Sequence, residues 1–250
     1  ATIIAQFSSA ALIYFTLYRT HDVHRFQPKK LRIYPEMVRS IIRVGLPAGL
    51  QQALTSFSNV FVQSYINFFG SACMGGWTAF NKIDQLIFLP AQSIGLAVMT
   101  FVGQNLGAGK IQRIRSGMKQ AVVIALATSF VIAAVMLWFG EAIVGSFISG
   151  TPREVLEATR IGHRYLSIMS ICLPVLYILH VTRSAVQGMG NTVLPMVSGI
   201  AEFIMRTGGV LLLPMLMGEE GIFIAEVSAW MGADLILVPS YFLTLRKISK

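Results

Sequence analysis

Residues 90–110 read Pro-Ala-Gln-Ser-Ile-Gly-Leu-Ala-Val-Met-Thr-Phe-Val-Gly-Gln-Asn-Leu-Gly-Ala-Gly-Lys, an apolar helix running into a glycine-rich, basic turn. That pattern predicts a transmembrane helix leaving the bilayer on its cytoplasmic side. Small residues at Gly95, Ala97, Gly103, Gly107, Ala108 and Gly109 allow neighbouring backbones to approach closely, as membrane helix packing favours. Gln104 and Asn105 offer side-chain hydrogen bonds where the helix runs out. Gly107 and Gly109 are placed to take the positive φ of a C-terminal cap.

The whole chain fits this reading. It is 54% hydrophobic and 12% charged, with a mean hydropathy of +0.66, more apolar surface than one water-soluble core can hide. Its net charge of +9 does not point to nucleic acid, because the basic residues are not gathered on one polar face. They sit between apolar blocks. Cys73 and Cys172 have no metal-ligand neighbour at useful spacing and read as packing residues. Residues 1–18 are apolar without a basic segment before them, so they read as the remainder of a truncated helix and not as a signal peptide.

A helix needs roughly 20 mostly apolar residues to cross the hydrocarbon core. The segments 1–18, 44–68, 78–103, 119–140, 164–186, 194–217 and 221–245 meet or approach that length. The loop 19–43 carries Arg19, Arg25, Lys29, Lys30, Arg32, Arg39 and Arg43 against Asp22 and Glu36, a strong cytoplasmic signal. Alternation then puts the turn with Lys110, Arg113, Arg115 and Lys119, and the tail with Arg246, Lys247 and Lys250, on the same side. The opposite side receives Glu141, Glu154, Glu157, Glu219 and Glu220. Thr151-Pro152-Arg153-Glu154 reads as an N-cap with proline at the first helical position, opening a short amphipathic helix on the outer surface.

Polar residues inside these spans mark candidate sites. Gln52, Ser56, Asn59, Gln63 and Asn67 share one face of the second span. Lipid disfavours such an amide stripe, so it reads either as the wall of a water-filled cavity or as a hydrogen-bonded helix interface. Asn81, Gln85 and Gln92 repeat the pattern on the next helix, whereas Lys82 and Asp84 read as interfacial residues near its outer end. In the last span Glu226, Trp230 and Asp234 follow at steps of four. Buried carboxylates of this kind suit a proton relay or cation site, or partner a basic residue such as Arg206 or Arg183. Glu202 and Arg206 are spaced for an ion pair within one helix. His180, between Tyr177 and Arg183, can carry protons or serve as a packing residue. Pro47, Pro90, Pro174 and Pro214 predict kinks. The zinc-protease, nucleophile-elbow, P-loop and dinucleotide motifs are all absent from the sequence, so neither an enzyme nor a self-powered ATPase is indicated and no cofactor is implied.

Three elements together resemble a known family. Gly45-Leu46-Pro47 opens one helix, Gly103-Gln104-Asn105-Leu106-Gly107-Ala108-Gly109 closes the next, and Gln187-Gly188-Met189-Gly190-Asn191-Thr192 with Pro195 joins two more. They look like the C-terminal half of multidrug and toxic compound extrusion (MATE) transporters. The resemblance implies an all-α, polytopic membrane helix bundle of twelve helices in two six-helix lobes. Residues 1–18 would end the sixth helix, 19–43 would form the basic cytoplasmic inter-lobe loop, and 44–250 would form the C-terminal lobe.

The resemblance further implies efflux of cationic, often aromatic small molecules in exchange for Na⁺ or H⁺. Some members carry a coupling Glu where this chain has Gln51, Gln52 and Thr55, and an Asp near the positions of Tyr177 and His180. The partners expected are the lipid bilayer and an N-terminal lobe, in a bacterial cytoplasmic membrane with the basic loops and C-terminus inside. Gln52, Asn59 and Gln63 are expected to line the cavity. Asp234, Glu226 and Trp230 are expected to respond to the coupling cation. A flippase for a lipid-linked oligosaccharide or precursor, from the same wider superfamily, would need more cavity-facing basic residues. A non-transporting membrane scaffold is the other alternative.

Overall fold

The structure, a computed structural model, describes residues 2–20, 27 and 32–248. Arg25, Lys29 and Lys30 of the basic loop, and Lys250 of the tail, lie outside the described residues. The helices are α1 (Thr2–Arg19), α2 (Pro35–Phe68), α3 (Ser71–Gly107), α4 (Ile111–Gly145), α5 (Pro152–Gly188), α6 (Val193–Met217) and α7 (Glu220–Ile248). No strand occurs among the described residues. Five of these helices, α3 to α7, are long and apolar enough to cross a membrane. The amides of α2 lower its apolarity although it is 34 residues long.

The chain divides into two units, Ala1–Arg43 and Val44–Lys250. The first holds α1, whose apolar side chains such as Ile3, Phe7 and Leu12 are exposed. In the second, α5 is central and packs against α3, α4 and α7, while α6 packs chiefly on α7. Small residues in register along the α3–α5 contact explain why these helices lie so close. A Cβ on Gly76 would meet Ala158 O at 2.6 Å and Gly162 N at 2.9 Å, and one on Gly188 would meet Met99 O at 2.6 Å. Tyr177 adds a polar tie, its hydroxyl donating to Ile87 O at 3.1 Å, one turn before Pro90. On the outside of α4, Val123, Phe130, Val131 and Trp138 remain exposed, as a lipid-facing surface requires.

The corner after α3 closes as the opening stretch predicts, with one refinement. Gly107 is the last helical residue, and Gly109 alone takes positive φ, at 68°. Lys110 N donates to Asn105 O at 2.8 Å and Gly109 N to Leu106 O at 2.9 Å, the paired bonds of a Schellman motif. The same motif recurs after α5, where Gly190 has φ 80° and Asn191 N donates to Val186 O at 3.2 Å. Thr151–Arg160, expected as a separate surface helix, is instead the start of α5. Its N-terminus forms as predicted, with Glu154 Oε2 accepting from Thr151 N at 3.0 Å and from the Thr151 hydroxyl at 2.6 Å. The helix then continues because nothing before Gly188 interrupts it except the tolerated Pro174.

Gly188→Ala forces α3 and α5 apart and is expected to destabilise by about 1–3 kcal/mol. Gly208→Ala has nothing within 4 Å of the new methyl and gains helix propensity, so it is expected to be neutral or stabilising. Thermal melting of the detergent-purified protein compares the two.

Candidate functional site

The polar faces of α2 and α3 line one cavity of about 530 Å³. Gln51, Gln52, Thr55, Asn59 and Gln63 reach it from α2, and Asn81, Asp84, Gln85 and Gln92 from α3. His180 and Arg183 of α5, Glu202 and Arg206 of α6, and Glu226 and Trp230 of α7 complete the polar wall. Helical spacing explains the α2 contribution, because steps of three and four keep the amides on one side.

A charged cluster crosses the cavity wall. Arg206 Nη2 donates to Glu202 Oε1 at 3.0 Å, the pair that spacing on α6 predicts, and to Glu226 Oε1 of α7 at 2.7 Å. Arg183 Nη2 of α5 donates to the second oxygen of Glu202 at 2.7 Å. Helix α2 joins through amides. Asn59 Oδ1 accepts from Arg206 Nη1 at 3.2 Å, and Gln51, with its amide turned so that the oxygen meets the guanidinium, accepts from Arg183 Nε at 3.1 Å and Nη1 at 3.3 Å. The Glu202 and Arg206 side chains are only 8% and 5% exposed. Ions so buried are stable only when each charge is paired and its remaining polar atoms are hydrogen-bonded. The shared carboxylate achieves most of that for both arginines, although Arg206 Nε has no partner among the described residues.

An aromatic column stands beside this cluster. Trp77 stacks on Tyr165 at 5.0 Å, and Tyr165 stacks on Phe223 at 4.3 Å. Trp77 Nε1 donates to Gln63 Oε1 at 3.0 Å, tying the column to α2. His180 is less free than its position suggests, since its Nδ1 bonds the Leu176 carbonyl at 3.0 Å and its ring meets Phe88 edge to face at 5.6 Å.

Of the residues singled out in the sequence, Gln52, Asn59, Gln63, His180, Glu202, Arg206, Glu226 and Trp230 all line the cavity, and Asp234 does not. Eight residues of α-helix turn Asp234 by about 80° from Glu226, which carries it past the cavity edge. Its Oδ1 is buried with no hydrogen-bond partner among the described residues, since Arg183 and Arg206 are held by Glu202 and Glu226. Asp84 is the opposite case. Read from sequence as interfacial together with Lys82, it faces the cavity, while Lys82 Nζ lies 5.8 Å from the Phe147 ring centroid. Residues two apart on a helix point to nearly opposite sides, so the two charges never shared an environment. Periodicity was the available signal, because Asp84 follows Asn81 by three and precedes Phe88 and Gln92 by four and eight. No cluster of three or more His, Cys, Asp or Glu side chains among the described residues could hold a metal ion.

The MatE family model matches residues 47–208, a span that includes Pro47 of α2 and Arg206 of the charged cluster. The chain belongs to the MatE family. MatE proteins, the multidrug and toxic compound extrusion family, are transporters rather than enzymes and need no cofactor. The probable multidrug resistance protein YpnP of Bacillus subtilis is 28% identical over 203 residues, which is 80% of this chain and 44% of that protein. The probable multidrug resistance protein NorM of Thermotoga maritima is 22% identical over 199 residues, covering 79% and 41%. This MatE chain therefore spans less than half the length of those relatives. Among solved structures, a MOP superfamily transporter from Pyrococcus furiosus superposes with a TM-score of 0.89 at 18% identity, covering all of this chain and 56% of that one. A MATE transporter of Vibrio cholerae in a bent form gives 0.83 at 21% identity, covering 99% and 55%. At these identities the superpositions establish the fold.

Arg206→Met would leave Glu202 short of one partner and Glu226 without its ion pair, and is expected to cost about 3–5 kcal/mol of stability. Adding Glu226→Gln to that variant removes one stranded charge and should recover part of the loss. Melting temperatures of the single and double variants measure the difference.

Proposed function

We propose that this chain is the C-terminal lobe of a secondary-active exporter that exchanges organic cations for Na⁺ or H⁺ by alternating access. The observation that carries this reading is the cavity itself: polar stripes of two helices enclose Asp84, Glu202 and Glu226 within an otherwise apolar bundle. Intramembrane carboxylates facing a cavity mark ion and substrate pathways. The Bacillus subtilis and Thermotoga maritima relatives, both named probable multidrug resistance proteins, support the same substrate class.

In this proposal residues 1–18 end the sixth transmembrane helix, 19–43 link the lobes on the cytoplasmic face, and 44–250 form the six-helix lobe. The partner is an N-terminal lobe across the central site, and the setting is a bacterial cytoplasmic membrane with the basic loops and C-terminus inside. Asp234, with Glu226 and Trp230, is the cation-responsive group on α7, because its buried Oδ1 has no hydrogen-bond partner among the described residues and a proton or Na⁺ would supply one. Gln52, Asn59, Gln63 and His180 contact the substrate or its water, while Glu202 and Arg206 hold the wall together. The flippase alternative gains nothing from the geometry: Arg183 and Arg206 are engaged by Glu202 and Glu226 and are not free to meet a pyrophosphate.

Asp234→Asn in the full-length transporter is expected to slow ethidium or norfloxacin efflux about tenfold, the scale of a single coupling interaction. Efflux from cells expressing equal amounts of both forms is the measurement. An unchanged rate removes Asp234 from the mechanism.

A further inference from the structure

We propose that this cavity selects a flat monocation rich in hydrogen-bonding groups, and that it discriminates against lipophilic permanent cations and against dications. The inference rests on the transport reading above and narrows its substrate class.

Charge comes first. Glu202 gives one oxygen to Arg183 and the other to Arg206, and Glu226 gives Oε1 to Arg206. A ligand ammonium that captured Glu202 would leave Arg183 without its carboxylate, and one that captured Glu226 would take one of the two carboxylates that hold the buried Arg206. Asp84 lines the same cavity and belongs to none of these pairs among the described residues. The cavity can therefore meet one positive charge, at Asp84, without disturbing an arginine, and a second only at an arginine's expense.

Hydrogen bonding comes next. Three of the cavity amides are committed, since Asn59 and Gln51 serve the arginines while Gln63 bonds Trp77 and Asn67. Gln52, Asn81, Gln85 and Gln92 make no side-chain hydrogen bond among the described residues. Asn81 and Gln85 flank Asp84 on α3. Each free amide presents both donors and an acceptor, and a ligand that displaces their water without replacing those bonds leaves them unsatisfied. A site built to hydrogen-bond its ligand rejects an analogue lacking the matching groups much more strongly than an apolar pocket rejects a missing methylene.

Shape follows from the aromatic column. Trp77 ends the stack that runs through Tyr165 to Phe223, and it lines the cavity seven residues before Asp84 on the same helix. A planar ring laid on Trp77 extends that column with its charge directed along α3 toward Asp84. A tetrahedral arrangement of phenyl groups cannot do this.

The test uses the full-length transporter in proteoliposomes and three probes: proflavine, a flat monocation with ring and amino N–H donors; tetraphenylphosphonium, a monocation with no hydrogen-bonding group; and dequalinium, a dication. Proflavine is expected to be exported with at least about tenfold greater catalytic efficiency than either of the others. Gln85→Leu should shrink the proflavine-to-tetraphenylphosphonium ratio. Gln85→Glu adds a second carboxylate beside Asp84 and should raise dequalinium export relative to proflavine, which keeps the proposal testable if the leucine variant folds poorly. Export of tetraphenylphosphonium or dequalinium at parity with proflavine overturns the inference and leaves the transport reading standing. So do ratios that neither variant moves. If none of the three is exported, the inference and the transport reading fall together.

Discussion

Glu202 lies between two guanidiniums from different helices, one oxygen 2.7 Å from Arg183 and the other 3.0 Å from Arg206. Much of the cavity follows from that division of one carboxylate. Arg206 reaches on to Glu226, so α5, α6 and α7 are joined by a single chain of charges. Through Asn59 and Gln51 the same chain takes in α2. Membrane helices gain little from the hydrophobic effect against one another, and polar contacts together with close packing hold them instead. Here the polar contacts stand on the cavity side and the close packing stands behind them.

That packing is achieved with glycine. Gly76 and Gly162 bring one end of α3 against α5, and Gly188 brings the other end against Met99. Between them Gly95 meets Ser184, so the two backbones run close along most of their length. The result is a rigid pair on which α4 and α7 lean. Helix α2 is different in kind. It carries most of the cavity amides, and its ties to the bundle run through side chains: Asn59 to Arg206, Gln63 to Trp77, Gln51 against Gly199, and Phe61 edge to face with Phe203 at 6.4 Å. Such contacts are exchanged more readily than interlocked backbones, which suits the one wall of the cavity whose amides face both protein and solute.

The two corners after α3 and α5 show a repeated solution. Each reads Gly-x-Gly, with Gly107 and Gly109 at one and Gly188 and Gly190 at the other. In each, the first glycine ends the helix and the second takes positive φ, releasing the chain through paired Schellman bonds. At the second corner the first glycine also packs against α3. Asn191 then accepts from Leu194 N at 3.2 Å and starts the next helix. The residues that make the opening stretch recognisable are thus structural. They turn the chain, and the polar chemistry lies on the preceding helix around Asp84.

Local physics was legible in the sequence. Hydropathy gave the helices, glycine and proline gave their ends and corners, Thr151 with Glu154 gave a cap, and a spacing of three or four gave the α2 stripe and the Glu202–Arg206 pair. These features depend on residues within a turn or two of one another, which a linear reading can see. What only the tertiary structure decided was which charge meets which across helices. Glu202 takes a second arginine from α5, Glu226 spends its charge on Arg206, Asp234 rotates away from the cavity, and Asp84 turns into it while Lys82 turns out. Each outcome depends on the rotation of one helix about its axis relative to its neighbours. Side-chain volumes at the α3–α5 and α6–α7 contacts set that rotation; spacing within one helix can put Asp84 on the face of Asn81 and Gln92, but it does not say what that face meets.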